Sequence, residues 1–446
     1  MKLLNLKTTI KSLGLFNKAD PNELKLHPCL PLNEHQEEGN IFTFGVHGSG
    51  KSTLIKYLVK QLLNLPNKKL IIFDEKKEYT EYFFKRKSTY LIAPWDRRSF
   101  YWAIELDLTH IAHFRQLAEQ LIHVDEKQPT WGQGAREIFV ALLVTSYEKK
   151  ELSWKSISHW LNKPIEVWIE EFENYHPAAN KFLTGSNETI SSYISNLSSN
   201  IGWIHDLANM INEDSKQLSL KSWLNSSDLK FNSLIIQSHP LHTEMMTKLT
   251  GAMLQYITNL ILSKPDDQKQ QYWMILDELG NIPQNSYLAT WLSVGRSKGT
   301  RTIAGTQSVS QLKEVYGENT TETILNLFKN HVVFQCGAIG KTAEVASESL
   351  GQVIFERPTQ STQSDGTINF SWHRFTENLV PRNKIVNIKN TKKGVKGFAK
   401  LSGNKNVFEY IFPFDKSNKI AHASSYIDSD VKKKNIKRGR IAERGK

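Results

Sequence analysis

A phosphate-binding loop constrains this chain more than any other stretch. Residues 41–60 read IFTFGVHGSGKSTLIKYLVK, and GVHGSGKS fits G-x-x-x-x-G-K-[ST]. IFTF is a short β-prone apolar run. Beyond Lys51, the spacing of Leu54, Ile55, Leu58, Val59, Leu62 and Leu63 predicts one apolar stripe on a helix. The motif therefore sits on strand–loop–helix, the context in which it binds nucleotide phosphates. Gly45, Gly48 and Gly50 permit a tight loop, and the backbone N–H groups of the loop, Ser49 and Thr53 included, face the α- and β-phosphates. Lys51 reaches the β- and γ-phosphates of a nucleoside triphosphate and Ser52 ligates Mg²⁺. His47 occupies a variable position and reads as a loop side chain without chemistry.

Hydrolysis needs a second carboxylate on a neighbouring strand. Residues 272–280, YWMILDELG, run five apolar residues into Asp277 and Glu278 and stop at a glycine. Such a run suits a parallel strand covered on both faces, and ligands bind at the carboxyl ends of these strands. Asp277 is placed to hold the Mg²⁺ shell, and Glu278 to accept a proton from attacking water. Asp74 and Glu75, after LIIF, compete for this role. The pair 277–278 is preferred because its apolar run is longer and the segment after it carries more chemistry. That segment, residues 288–317, reads LATWLSVGRSKGTRTIAGTQSVSQLKEVYG. Its strand ends at Gln307, where a glutamine senses γ-phosphate or orients water. Arg296, on a turn after a helix, reads either as a surface cation or as an arginine offered across a subunit boundary.

Three blocks resemble the type IV secretion coupling proteins of the TraD/TraG type, ring-forming DNA-pumping ATPases of conjugation related to the FtsK and HerA motors. They are FTFGVHGSGKSTLIKYL, YLIAPWDRRSFYWAI (90–104), and WMILDELGNIPQ followed by GRSKGTRTIAGTQSVSQLKEVYG. The likeness spans roughly residues 35–345. It implies Asp277 and Glu278 as the Walker B pair, Gln307 as sensor and Arg296 as arginine finger. It also implies an ATPase that uses ATP and Mg²⁺, a homo-hexamer, and partners that include DNA, relaxase or relaxosome proteins and secretion-channel components.

The expected fold class is α/β: a RecA-like P-loop NTPase core with a mostly parallel central sheet and an inserted all-helical domain. Residues 1–105 and 206–412 form the nucleotide-binding domain. Residues 106–205, where strand signals nearly vanish, form the insertion, which the resemblance links to DNA or substrate recognition. In SDGTINFSWHRF the Asp-Gly pair predicts a hairpin turn. Residues 413–446 end in the basic run VKKKNIKRGRIAERGK and read as a flexible tail, either solvated or a tether to DNA, acidic lipid or a relaxosome protein.

Composition narrows the function classes. With Lys+Arg 57 against Asp+Glu 45, the formal charge is +12, which favours a polyanionic partner. Cys29 and Cys336 are distant and fit no zinc spacing, so a disulfide framework or structural zinc is not expected. His110 and His113 lack a third ligand, and most of the eleven tryptophans should be packing residues. No apolar run of about 18 residues occurs, so a cytoplasmic protein is expected, peripheral at the inner membrane through partners. Family members usually begin with transmembrane helices, and this chain shows none. The leading reading is an ATP-driven DNA translocase. The alternatives are a nucleotide-gated receptor that recruits relaxase or protein substrates without pumping DNA, and a secretion ATPase that acts on protein alone.

Overall fold

The structure, a computed structural model, describes residues 11–12, 23–226, 230–267, 269–282, 286–362, 368–414 and 417–425. The expected Asp-Gly turn, the Pro-Gln end of the carboxylate segment and the basic run from 431 onward lie outside the described residues. The chain divides into two compact units, Met1–Ile71 with Pro265–Asn418, and Ile72–Lys264 with Lys419–Lys446.

The first unit is built on a mostly parallel sheet. The strand Ile41–Phe44 is buried throughout and lies between two parallel neighbours, Thr300–Thr306 and Asn330–Val333. Phe44 pairs with Thr306 on one side and Val333 on the other, so the phosphate loop leaves the sheet at the carboxyl end of both. The next strand outward, Gln271–Leu276, pairs in parallel with Thr300–Thr306, Tyr272 opposite Thr300. Beyond Asn330–Val333 the direction reverses: Gly394–Lys400 and then Val407–Pro413 pair antiparallel, and Lys11–Ser12 joins the far edge in parallel. The uninterrupted burial of Gln271–Leu276 and Thr300–Thr306 is what central strands covered on both faces require.

Helix Lys51–Leu62 buries Leu54, Ile55, Leu58, Val59 and Leu62, the stripe expected from spacing. A long two-stranded ribbon, Gln352–Thr362 with Ile368–Asn378, leaves Ile354, Phe370 and Trp372 exposed.

In the second unit, Thr89–Ile92 and Ser233–Gln237 are parallel, and Phe100–Trp102 pairs in parallel with Lys216–Leu218. Between these, the chain is helical over Ile111–Leu121, Pro129–Glu148, Trp154–Leu161, Ile165–Tyr175, Asn187–Ile201 and Trp203–Met210. The tryptophans here pack: Trp102 and Trp154 meet edge to face, and Trp154 Nε1 donates to the Trp102 carbonyl. Trp102 Nε1 in turn donates to the buried Asp107, whose oxygens also accept from the backbone N–H of Leu220 and the hydroxyl of Ser219. The Lys419–Ser425 segment lies against this unit, with Ile420 N–H donating to the Glu81 carbonyl and Ser425 N–H to Asp96. Among the described residues, no helix is long and apolar enough to cross a membrane.

Candidate nucleotide site

All the residues that the sequence assigns to catalysis, phosphate binding and metal binding lie in the first unit. Gly50, at the start of helix Lys51–Leu62, has φ +116°, and Gly48 has φ +73°. Both lie in the left-handed region that side chains disfavour. Gly50 has a second constraint, since a Cβ there would stand 2.5 Å from the Val395 side chain. Gly45 begins the loop with its N–H on the Thr306 carbonyl at 3.2 Å, and Val46 N–H donates to the Gln335 carbonyl at 2.8 Å. Two neighbouring strands thus hold the base of the loop. Thr53 is half-buried in the first helical turn, and His47 is exposed.

The loop fits a phosphate chain. Ser49 Oγ is buried and makes no hydrogen bond among the described residues, a state that an anionic acceptor would relieve. The Lys51 side chain is buried, its Nζ donating to the Gly45 carbonyl and, at 3.5 Å, to that of Val46. A helix amino terminus closes the cradle.

Across the loop, Ser52 Oγ donates to Asp277 Oδ2 at 2.7 Å. A hydroxyl and a carboxylate are hard oxygen donors, the type Mg²⁺ takes alongside phosphate and water. Glu278 follows, with Oε1 accepting from the Gln307 backbone N–H at 3.1 Å. Burial pushes the Glu278 carboxyl above its ordinary range; the Lys51 charge and the hydrogen bonds from Gln307 oppose the rise. Lys51, Ser52, Asp277, Glu278 and Gln307, drawn from three strand ends, are thereby brought together.

Arg296 is not. It lies in the short helical turn Gly295–Lys298, before the amino end of the strand that ends at Thr306. That seven-residue strand spans roughly 20 Å. Its guanidinium instead meets Glu38, Nε at 3.0 Å and Nη2 at 2.5 Å from Oε2. The competing Asp74 is engaged by the next helix: it accepts from Tyr79 N–H, Thr80 N–H and Thr80 Oγ1 in the first turn of Glu78–Phe83, and burial raises its pKa to about 6. His110 caps helix Ile111–Leu121 through Ala112 N–H, and no metal-holding cluster of His, Cys, Asp or Glu occurs among the described residues.

Sequence reasoning missed Val395, which covers Gly50, and the Gln335 carbonyl beneath Val46. Both come from segments without motif character. It also passed over Glu38 and Arg301. The second left a signal, a cation inside the apolar strand TRTIAGT, and it is fully buried.

The profile of the family described as the type IV secretion-system coupling protein DNA-binding domain matches residues 25–409. Coupling protein TraD of Escherichia coli (strain K12) is 22% identical over 329 residues, 72% of this chain; the chain spans 45% of the length of that relative. Among solved structures, the bacterial conjugative coupling protein TrwBdeltaN70, in its unbound monoclinic form, superposes with a TM-score of 0.75 at 21% identity, covering 92% of each chain. The plasmid coupling protein TrwB in complex with ADP and Mg²⁺ gives 0.74 at 20%, covering 92% of this chain and 93% of that one. At such identities, the likeness shows a shared fold.

Proposed function

The chain belongs to the family of type IV secretion-system coupling proteins, and from that premise we propose that it is an ATPase that assembles as a homo-hexamer and drives DNA, brought by a relaxase, toward a conjugative secretion channel. The observation that carries this reading is the 2.7 Å hydrogen bond between Ser52 and Asp277, which unites the phosphate loop with the carboxylate strand. The solved TrwB complexes with ADP and Mg²⁺ and with a non-hydrolysable ATP analogue support ATP and Mg²⁺ as its ligands.

The geometry of the loop and carboxylate strand supports the following roles, and the family resemblance supplies that of Arg296. Backbone N–H groups of 45–53 and Ser49 Oγ bind the α- and β-phosphates, and Lys51 turns from its carbonyls to the β- and γ-oxygens. Ser52 and Asp277 would hold Mg²⁺, which when bound neutralises charge on the phosphate oxygens. Glu278, oriented by the Gln307 N–H, takes the proton of the attacking water, and the Gln307 side chain orients that water or contacts γ-phosphate. Arg296 serves the site of a neighbouring copy, where it offsets charge that develops on the transferring phosphoryl group. The net charge of +12 supports contacts with DNA phosphates that read no bases, so binding weakens steeply with salt.

The test is ATP hydrolysis by the purified protein with and without single- and double-stranded DNA, measured with particle size. DNA-stimulated turnover by a hexamer is expected. A hexamer that hydrolyses ATP at one rate with or without DNA sinks the translocase. Wild-type transfer by Glu278→Gln would point instead to a nucleotide-gated receptor.

A further inference from the structure

Glu38 ends the short helix Glu34–Glu38, which Asn33 and Gln36 close with reciprocal capping bonds. Its side chain is 12% exposed. One carboxylate oxygen, Oε2, accepts from both Nε and Nη2 of Arg296; the other stands 3.7 Å from Nη2 of Arg301. Arg301 is fully buried, and its Nη1 donates to the backbone carbonyls of Arg296 at 3.1 Å and Thr300 at 2.7 Å. One buried arginine therefore holds both the turn that carries Arg296 and, by charge, the carboxylate that grips it.

A guanidinium presents its N–H groups along two useful edges. Glu38 takes the Nε–Nη2 edge of Arg296. The remaining donors, both N–H groups of Nη1 and the second N–H of Nη2, form the opposite edge; Nη1 makes no hydrogen bond among the described residues, and the side chain is 53% exposed. That free edge has the fork geometry that fits phosphate oxygens. We propose that Glu38 is a positioning residue: it fixes Arg296 on one edge so that the other faces the triphosphate bound by a neighbouring copy of this chain. The proposal rests on the reading of Arg296 as an arginine acting in trans. The rotamer freedom of Arg296 is lost on folding rather than at the reaction, which is how a preoriented group accelerates a step without tightening substrate binding.

The experiment compares steady-state ATPase kinetics of the assembled, DNA-bound protein for Glu38→Leu, Glu38→Gln, Arg296→Ala and the double variant Glu38→Leu/Arg296→Ala. Gln keeps an oxygen that accepts both N–H groups; Leu does not. The expected result is a roughly 10- to 100-fold fall in kcat for Glu38→Leu, the scale of a misplaced reacting group. The KM for ATP should stay unchanged, Glu38→Gln should stay close to wild type, and the double variant should be no worse than Arg296→Ala. Wild-type kcat for Glu38→Leu alongside an impaired Arg296→Ala overturns this inference and leaves the trans arginine standing. Full activity of Arg296→Ala overturns both. Additive losses in the double variant also overturn it, because Glu38 would then act by another route. Should Glu38→Leu fail to fold with Arg301 left unpaired, Glu38→Leu/Arg301→Met removes the buried charge with its partner and is compared with Arg301→Met alone, which also loses the bonds to the Arg296 turn; a further fall in kcat on adding Glu38→Leu is expected, and no further fall overturns the inference.

Discussion

Ser52 and Asp277 are joined by a 2.7 Å hydrogen bond across 225 residues of chain. The bond spans two inter-strand spacings, roughly 10 Å of sheet, because Thr300–Thr306 runs between the strand that feeds the loop and the strand that ends at Asp277. Gly305 makes the crossing possible. A Cβ there would stand 2.7 Å from both the Asp277 carbonyl oxygen and Thr43 Oγ1. A side chain on the middle strand would thus push apart the two strand ends that the site needs together.

Lys51 and Glu278 should separate binding from chemistry. Lys51→Ala removes the cation that meets the phosphates, and both nucleotide affinity and hydrolysis should fall. Glu278→Gln keeps the shape and loses the proton acceptor. Nucleotide binding should persist while kcat drops by about 10²–10⁴-fold, the usual worth of a general base. Fluorescent-nucleotide titration beside phosphate release checks both.

The pH profile carries a sign. Burial raises the Glu278 carboxyl, so its ionised, proton-accepting form is lost as pH falls through a value above the ordinary one near 4.5. The acid limb of kcat/KM should therefore fall at higher pH than a solvent-exposed glutamate would give. An acid limb at or below the ordinary value would remove Glu278 from the role of base.

Gly50 tests the loop itself. Alanine there meets Val395 and must hold φ +116°, a strain of about 1–2 kcal/mol beyond the clash. Gly50→Ala should lose nucleotide binding while circular dichroism stays native. Adding Val395→Ala should recover only part of it, since the contact is relieved and the backbone strain is not.

The parts visible in the sequence share one property: each is fixed by local chemistry. The loop glycines, the helical stripe after Lys51 and the apolar run into Asp277 state their conformation within a few residues, and the α/β core follows from them. The family blocks added the expectation of one mostly parallel core; the order of its strands was not read from the sequence. What stayed hidden depends on distant chain. Nothing near Val395 in NTKKGVKGF marks it as the lid on Gly50, and nothing near Glu38 in NEHQEEGN marks it as the partner of Arg296. The reversal of direction at Gly394–Lys400 was equally unreadable, because alternation along a strand does not say which way its neighbour runs.

His331 should make the first unit acid-sensitive. It sits on the strand beside the loop strand, stacked on Phe44, and burial holds its pKa down at about 4. The fold binds the neutral imidazole, so this stability is fully present above the unfolded value near 6.5 and drains away as pH falls toward 4. One pKa unit is worth about 1.4 kcal/mol, so the loss reaches roughly 3 kcal/mol. Denaturant midpoints at pH 7 and pH 5 should differ, and His331→Gln should shrink the difference.

Mixing two inactive variants tests whether Arg296 acts in trans. Within one chain, Arg296 lies beyond the amino end of the strand whose carboxyl end holds the loop, and Glu38 holds it there. An arginine so placed assists hydrolysis only at the site of another copy. Lys51→Ala supplies a good arginine and a dead loop; Arg296→Ala supplies a sound loop and no arginine. Each alone should be inactive. In mixed rings, a boundary that sets the intact loop of the second beside the arginine of the first is complete, so activity should reappear and grow with the fraction of such boundaries. A mixture as inactive as its components, with co-assembly shown by size, would place Arg296 outside the reaction and leave its bond to Glu38 as an ordinary surface ion pair.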